Sequence, residues 1–227
     1  MRFRQLFDAP SGSYTYLLWD EGTREAVLID AVYDQVDRDV KLVEELGLRL
    51  RYVLDTHVHA DHVTAASRLR ERLGASMVAS RAGGGPCNDV LVGEGDEIRF
   101  GAKVLGVLAT PGHTAGCVSY LLPDRVFTGD SLMVRTCGRT DFQGGDAGAL
   151  YDSITTKLFA LPDDTLVYPA HDYNGQTATT IGEEKRHNVR LTGRTREAFI
   201  ELMGSLHLAM PKNIREAVPA NLACGCP

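Results

Sequence analysis

Thr56-His57-Val58-His59-Ala60-Asp61-His62 packs three imidazoles and a carboxylate into six residues. Each of these side chains can donate a lone pair to a metal ion. The run Arg51 to Asp55 before it reads as a β-strand. Val63 to Leu73 after it reads as a helix, with Gly74 placed to end it. The motif therefore sits on a strand-to-helix loop, where α/β proteins usually place their chemistry. In extended backbone, His57 and His59 project the same way and could approach one ion together. Asp61 and His62 are adjacent and aim differently, toward a second ion or toward the groups that surround the first.

Outward from this loop, the chain alternates strand-like and helix-like stretches. Ser13 to Trp19 and Ala26 to Asp30 read as a hairpin, and Asp34 to Leu46 as a helix closed by Gly47. Ser76 to Ser80 is a further strand. Shorter strands follow near 97–100, 103–109, 117–122, 125–129 and 165–168. Helices are expected over 148–161, 178–188 and 195–206. Strand-rich stretches mixed with βα units point to an α/β (α+β) chain, with two mixed sheets packed face to face and helices outside. At 227 residues this is read as a single domain over 1–227 with a short C-terminal extension.

Three more potential ligands follow predicted strands. His113 lies in Thr110-Pro-Gly-His-Thr-Ala-Gly116, Asp130 in Phe127-Thr-Gly-Asp130, and His171 in Val167-Tyr-Pro-Ala-His-Asp-Tyr173. Seven candidate ligands at strand ends can converge on one edge of the sheets. A lone histidine elsewhere carries no such weight, so His187 and His207, both on predicted helices, are read as surface residues.

Composition narrows the classes. The net charge of −6 disfavours a nucleic-acid-binding face, and no apolar run is long enough to span a bilayer. Residues 1–8 lack the apolar segment of a signal peptide, so a cytoplasmic protein is expected, or a matrix protein whose presequence has been removed. Cys87, Cys117, Cys137, Cys224 and Cys226 form no even framework and are expected as reduced thiols. Cys224-Gly-Cys226 is expected to be a frayed tail.

Together, His-X-His-X-Asp-His, Pro-Gly-His-Thr, Thr-Gly-Asp and the late His171 resemble the metallo-β-lactamase superfamily, which implies an αββα sandwich. Asp130-Ser-Leu-Met-Val-Arg-Thr-Cys-Gly-Arg-Thr-Asp-Phe-Gln143, Tyr168-Pro-Ala-His-Asp-Tyr173 and Val218-Pro-Ala-Asn221 resemble its persulfide dioxygenases (sulfur dioxygenases), in the stand-alone form without a rhodanese domain. That resemblance implies one Fe(II) per chain, held by His57, His113 and Asp130 as metal ligands and catalytic centre. It implies glutathione persulfide and O2 as substrates, and sulfite and glutathione as products. His59, Asp61, His62 and His171 become the surrounding groups that orient the ligands. The resemblance also implies a homodimer.

Arg139 is the expected carboxylate partner for glutathione, against the alternative of a structural pair with Asp141. Tyr173 is a second substrate contact, against partial core packing. Arg135 is a weaker candidate, and Cys137 is expected to pack. The alternative function is a glyoxalase II-type thioester hydrolase with two metals, toward which Glu184-Lys-Arg-His-Asn-Val-Arg190 bears a faint likeness. A nuclease of the same fold is disfavoured by the acidic balance. A non-enzymatic metal-binding or electron-transfer module is the remaining class.

Overall fold

The computed structural model describes residues 1–211 and 213–225. Two six-stranded sheets form the body. The first runs in chain order through β1 (Arg2–Asp8), β2 (Ser13–Trp19), β3 (Glu25–Ile29), β4 (Arg49–Leu54), β5 (Ser76–Ser80) and β6 (Val90–Val92). Its first three strands are antiparallel and the rest pair in parallel. The second holds β7 (Glu97–Phe100), β8 (Lys103–Ala109), β9 (Val118–Leu122), β10 (Arg125–Gly129), β11 (Leu166–Pro169) and β12 (Thr179–Thr180). Only its β10–β11 pair is parallel. The helices are α1 (Val36–Glu45), α2 (Ala66–Leu73), α3 (Ala147–Ser153), α4 (Ile181–His187), α5 (Arg196–Ser205) and α6 (Ile214–Leu222). A π-helical turn, Ile154–Leu158, extends α3.

Strand alternation explains why two sheets are needed. Every residue of β2 is buried. Tyr14, Tyr16 and Leu18 point into the core between the sheets, where they meet Tyr120 and Phe127. Leu17 and Trp19 point the other way, into a second core with Val40 and Val43 of α1 and Leu69 of α2. β10 divides in the same manner. Phe127 faces the inter-sheet core, while Val126 joins Leu150, Ile154 and Phe199 beneath the helices of the second half. A strand buried on both faces requires a layer on each side, and the αββα sandwich supplies both.

Most predicted elements are present, with instructive departures. β1 and α6 were not expected. Pro219 lies within α6 and masks the helical pattern. α2 begins at Ala66 rather than at residue 63, because the preceding backbone is engaged elsewhere. Val63 accepts from Tyr33, Thr64 N–H donates to Asn221 Oδ1, and Ala65 N–H donates to Ala31. Gly74 does end α2, in the left-handed region. His207 lies past the end of α5 rather than on it.

The thiol expectation is corrected. Cys87 and Cys224 form a disulfide across 137 residues of sequence, and Cys224 is buried against the first half's outer core. The loop carrying Cys87 passes the end of α6, a proximity that sequence spacing cannot reveal. Cys226 lies outside the described residues. Cys117 and Cys137 are free and buried.

Candidate metal centre and substrate cavity

Seven histidine and aspartate side chains gather where strands end. His57 follows β4, His113 follows β8, Asp130 follows β10 and His171 follows β11. Parallel or alternately spaced strands bring these loops to one edge, as in other sheet proteins with sites beyond the strand termini. The side chains form two adjoining groups. His57, His113 and Asp130 present ligand atoms within 4.8 Å of one another, and so do His59, Asp61, His62 and His171.

In the first group each side chain has one atom engaged and one left facing its neighbours. His57 Nδ1 lies 3.0 Å from Thr56 Oγ1, which itself donates to Asp30 Oδ2 at 2.9 Å. That chain assigns the proton to Nδ1 and leaves the His57 Nε2 lone pair free. His113 Nδ1 lies 2.7 Å from the carbonyl of Arg139, so its Nε2 is also free, 3.6 Å from Asp130 Oδ2. Asp130 Oδ1 accepts from His171 Nδ1 at 2.6 Å, and Oδ2 remains. Two nitrogens and one oxygen thus face a common point.

The local electrostatics match this arrangement. Burial pushes the pKa of His57 well down and lowers that of His113, so both rings stay neutral. Burial opposes ionisation of Asp130, but His171, His113 and His57 outweigh it and hold the carboxyl well below its usual range. Two neutral imidazoles and an ionised carboxylate are a donor set suited to a divalent cation with open coordination positions.

Gly138 supports the His113 side. A Cβ there would lie 2.6 Å from the Asp130 carbonyl and 2.7 Å from His113 Nδ1. Only glycine lets the chain pass close enough for the Arg139 carbonyl to grip the ring.

The second group is cross-linked internally. Asp61 Oδ2 accepts from His62 Nδ1 at 2.7 Å and from His171 Nε2 at 2.9 Å. His171 therefore bridges Asp61 and Asp130. Burial lowers its pKa, but these two carboxylates prevail and keep the ring protonated. His59 Nε2 is 3.2 Å from Asp30 Oδ1, and its buried Nδ1 has no protein partner. Asp30 itself adopts φ +52°, a left-handed conformation that aims its carboxylate at both Thr56 and His59. Asn221 of α6 ties the loop from behind, donating to the carbonyls of His59 and His62.

A cavity of about 560 Å³ opens over His57, His113 and Asp130. Arg139 and Tyr173 both line it, as does Arg190. The Arg139 guanidinium grips Asp141 through Nε and Nη2, each at 2.6 Å. It also holds the carbonyls of Leu208 and Ala209 and lies over the Phe142 ring. Both readings of Arg139 are therefore present, a wall of the cavity and a pair with Asp141. Tyr173 is 73% exposed and stacks near His171, so core packing is not its role.

Arg135 faces away, bound to Glu184 and Thr179. Cys137 packs in the core of the second half, where burial pushes its thiol up to about 11. Sequence reasoning missed Phe142, Leu208 and Met210 as cavity walls. No motif marks residues 208–211, which line the mouth with the carbonyls of Leu208 and Ala209 held by Arg139.

Residues 8–85 and 80–171 match the metallo-beta-lactamase superfamily. A crystal structure of ETHE1 from Myxococcus xanthus superposes with a TM-score of 0.98 at 61% identity, covering 100% of both chains. Persulfide dioxygenase ETHE1, mitochondrial, from Mus musculus is 51% identical over 225 residues, covering 98% of this chain and 88% of that one. The chain belongs to the metallo-β-lactamase superfamily, in its persulfide dioxygenase family. The superfamily's hydrolases are also similar. A hydroxyacylglutathione hydrolase from Cereibacter sphaeroides is 38% identical over 178 residues, covering 75% of this chain and 68% of that one. Among the described residues, no helix is long and apolar enough to cross a membrane.

Proposed function

We propose that this protein oxidises glutathione persulfide with O2 and water to sulfite and glutathione, at one Fe(II) per chain held by His57, His113 and Asp130. The observation that carries this reading is the contrast in donors. Those three side chains leave Nε2, Nε2 and Oδ2 facing one another, while in the neighbouring group Asp61 and His171 are engaged with each other and with His62 or Asp130, leaving only His59 Nδ1 and His62 Nε2 without a partner. A ferrous ion held by these two imidazoles and this carboxylate would supply open coordination positions for a sulfur ligand and dioxygen.

The chain's own residues do the rest. Thr56 and the Arg139 carbonyl fix the two imidazole tautomers. His171 holds its proton between Asp130 and Asp61, which orients the Asp130 carboxylate. His59 Nδ1, buried without a protein partner, is the atom of that ring left to hydrogen-bond solvent in the site. The cavity takes the glutathione moiety, with Arg139, Arg190 and Tyr173 facing its carboxylates and amides. An incoming carboxylate at Arg139 competes with Asp141, so binding there exchanges one ion pair for another.

The substrates are thus a glutathione-linked persulfide and O2, with no nucleic acid and no membrane. The working unit is a homodimer of single-domain chains, in cytoplasm or, as the name of the Mus musculus relative says of that protein, in mitochondria. The test is oxygen uptake by the ferrous protein. Persulfide-dependent uptake with sulfite release is expected. Thioester hydrolysis without such uptake, together with two metals per chain, would instead establish the hydrolase alternative.

A further inference from the structure

Ser13 opens β2, fully buried, at the edge where the site loops gather. Its Oγ lies 3.0 Å from Asp61 Oδ2, 3.3 Å from His62 Nδ1 and 3.0 Å from His171 Nε2. Those three atoms belong to the second group of metal-capable side chains. We propose that the Ser13 hydroxyl stands where a second cation would bind and so keeps the centre mononuclear. The inference rests on the one-iron reading above and names the residue that enforces it.

Two effects act together. The first is occupancy. First-row divalent ions sit about 2.0–2.2 Å from nitrogen and oxygen ligands. An ion at that distance from the three atoms, on the face that Ser13 covers, would overlap an oxygen already 3.0–3.3 Å from each.

The second is saturation of two of the group's four members. Asp61 Oδ2 meets Ser13, His62 and His171 at once. His171 directs both ring nitrogens at carboxylates, which leaves it no lone pair, so only His59 Nδ1 and His62 Nε2 remain without a partner. The hydroxyl completes this network, since it both donates to Asp61 and accepts from an imidazole.

The backbone holds the hydroxyl in place. Ser13 bridges His171 across the sheet edge, and Tyr14 N–H donates to the Ala170 carbonyl at 2.7 Å. Gly12 precedes it at φ +73°, and a Cβ there would lie 2.8 Å from the Tyr173 ring. Ser13 is therefore delivered by a turn that suits glycine, next to the same histidine it hydrogen-bonds.

The test counts ions rather than turnover. Metal-depleted wild type, Ser13→Ala, Ser13→Gly and Ser13→Thr are titrated anaerobically with Fe(II) and, separately, with Zn(II). Bound metal per chain is then measured after gel filtration. Wild type and Ser13→Thr, which keeps a hydroxyl, are expected to hold one ion. Ser13→Ala and Ser13→Gly are expected to hold two. If neither variant exceeds the wild type, the proposal is overturned. Two ions in the wild type would sink the one-iron reading itself, a separate outcome from failure of the serine variants.

Discussion

The two histidine groups are built from the same residue types and lie side by side, buried except for the half-buried Asp61, yet they differ in what their donors do. In the first, each donor is anchored through one atom by a group outside the trio: Thr56, the Arg139 carbonyl and His171. In the second, Asp61, His62 and His171 bind one another and Ser13. Burying a polar group costs free energy unless it is paired. The second group meets that requirement for Asp61 and His171, while His59 Nδ1 and His62 Nε2 stay buried without a protein partner; in the first, all three free donors face one another. Metal-binding capacity thus lies in free donors that converge rather than in residue type.

The largest expected effect breaks the first group. Asp130→Ala removes the trio's only carboxylate, and iron content should drop from one ion per chain to background. Retention of iron in that variant would show that the ligand assignment is wrong.

Breaking the second group should do less. His171→Ala is expected to keep the metal but lose about 10–100-fold in metal affinity or activity, the range seen when groups behind a ligand are removed. A complete loss of iron, equal to that of Asp130→Ala, would place His171 among the ligands.

Arg139→Ala leaves both groups' donors in place and loosens only the cavity wall. KM for the persulfide is expected to rise about 10-fold while kcat changes less, a loss of about 1.4 kcal/mol of ground-state binding. Steady-state kinetics showing an unchanged KM would remove Arg139 from substrate recognition.

The smallest effect asks what burial does to a carboxyl that has no imidazoles around it. Asp39 on α1 is buried, its Oδ2 has no partner, and burial pushes its pKa up to about 6 despite Arg38. A carboxyl raised above its unfolded value contributes stability below the unfolded pKa of about 3.9, and this is lost as pH rises through about 6. Asp39→Asn should therefore be more stable than wild type at pH 8, by about 1–3 kcal/mol, with the advantage gone near pH 4. Thermal melts with the same offset at both pH values would show that Asp39 is not the source.

The fold and the seven candidate ligands were legible because each rests on short-range patterns, whereas the choice of His57, His113 and Asp130 among the seven came from the family resemblance. Apolar runs bounded by Gly and Pro, with histidines and aspartates just after them, are local signals. What stayed hidden depends on distant contacts. Ser13 is an ordinary strand residue in sequence, and nothing near it announces His171, 158 residues away. Arg139 was legible as a charged loop residue, but its hold on the carbonyls of Leu208 and Ala209 was not. The thiol reading failed for the same reason, since cysteine spacing says nothing about which loops meet.

The disulfide has a consequence for the unfolded chain. Joining Cys87 to Cys224 turns most of the polypeptide into a ring that contains His113, Asp130, Arg139, His171 and Arg190. A closure of that length lowers the entropy of the denatured ensemble by an amount worth about 5 kcal/mol in the chain-entropy description. His57 to His62 lie outside the ring, yet Asn221, three residues from its end, holds their loop. Oxidation state can therefore set how often the protein opens.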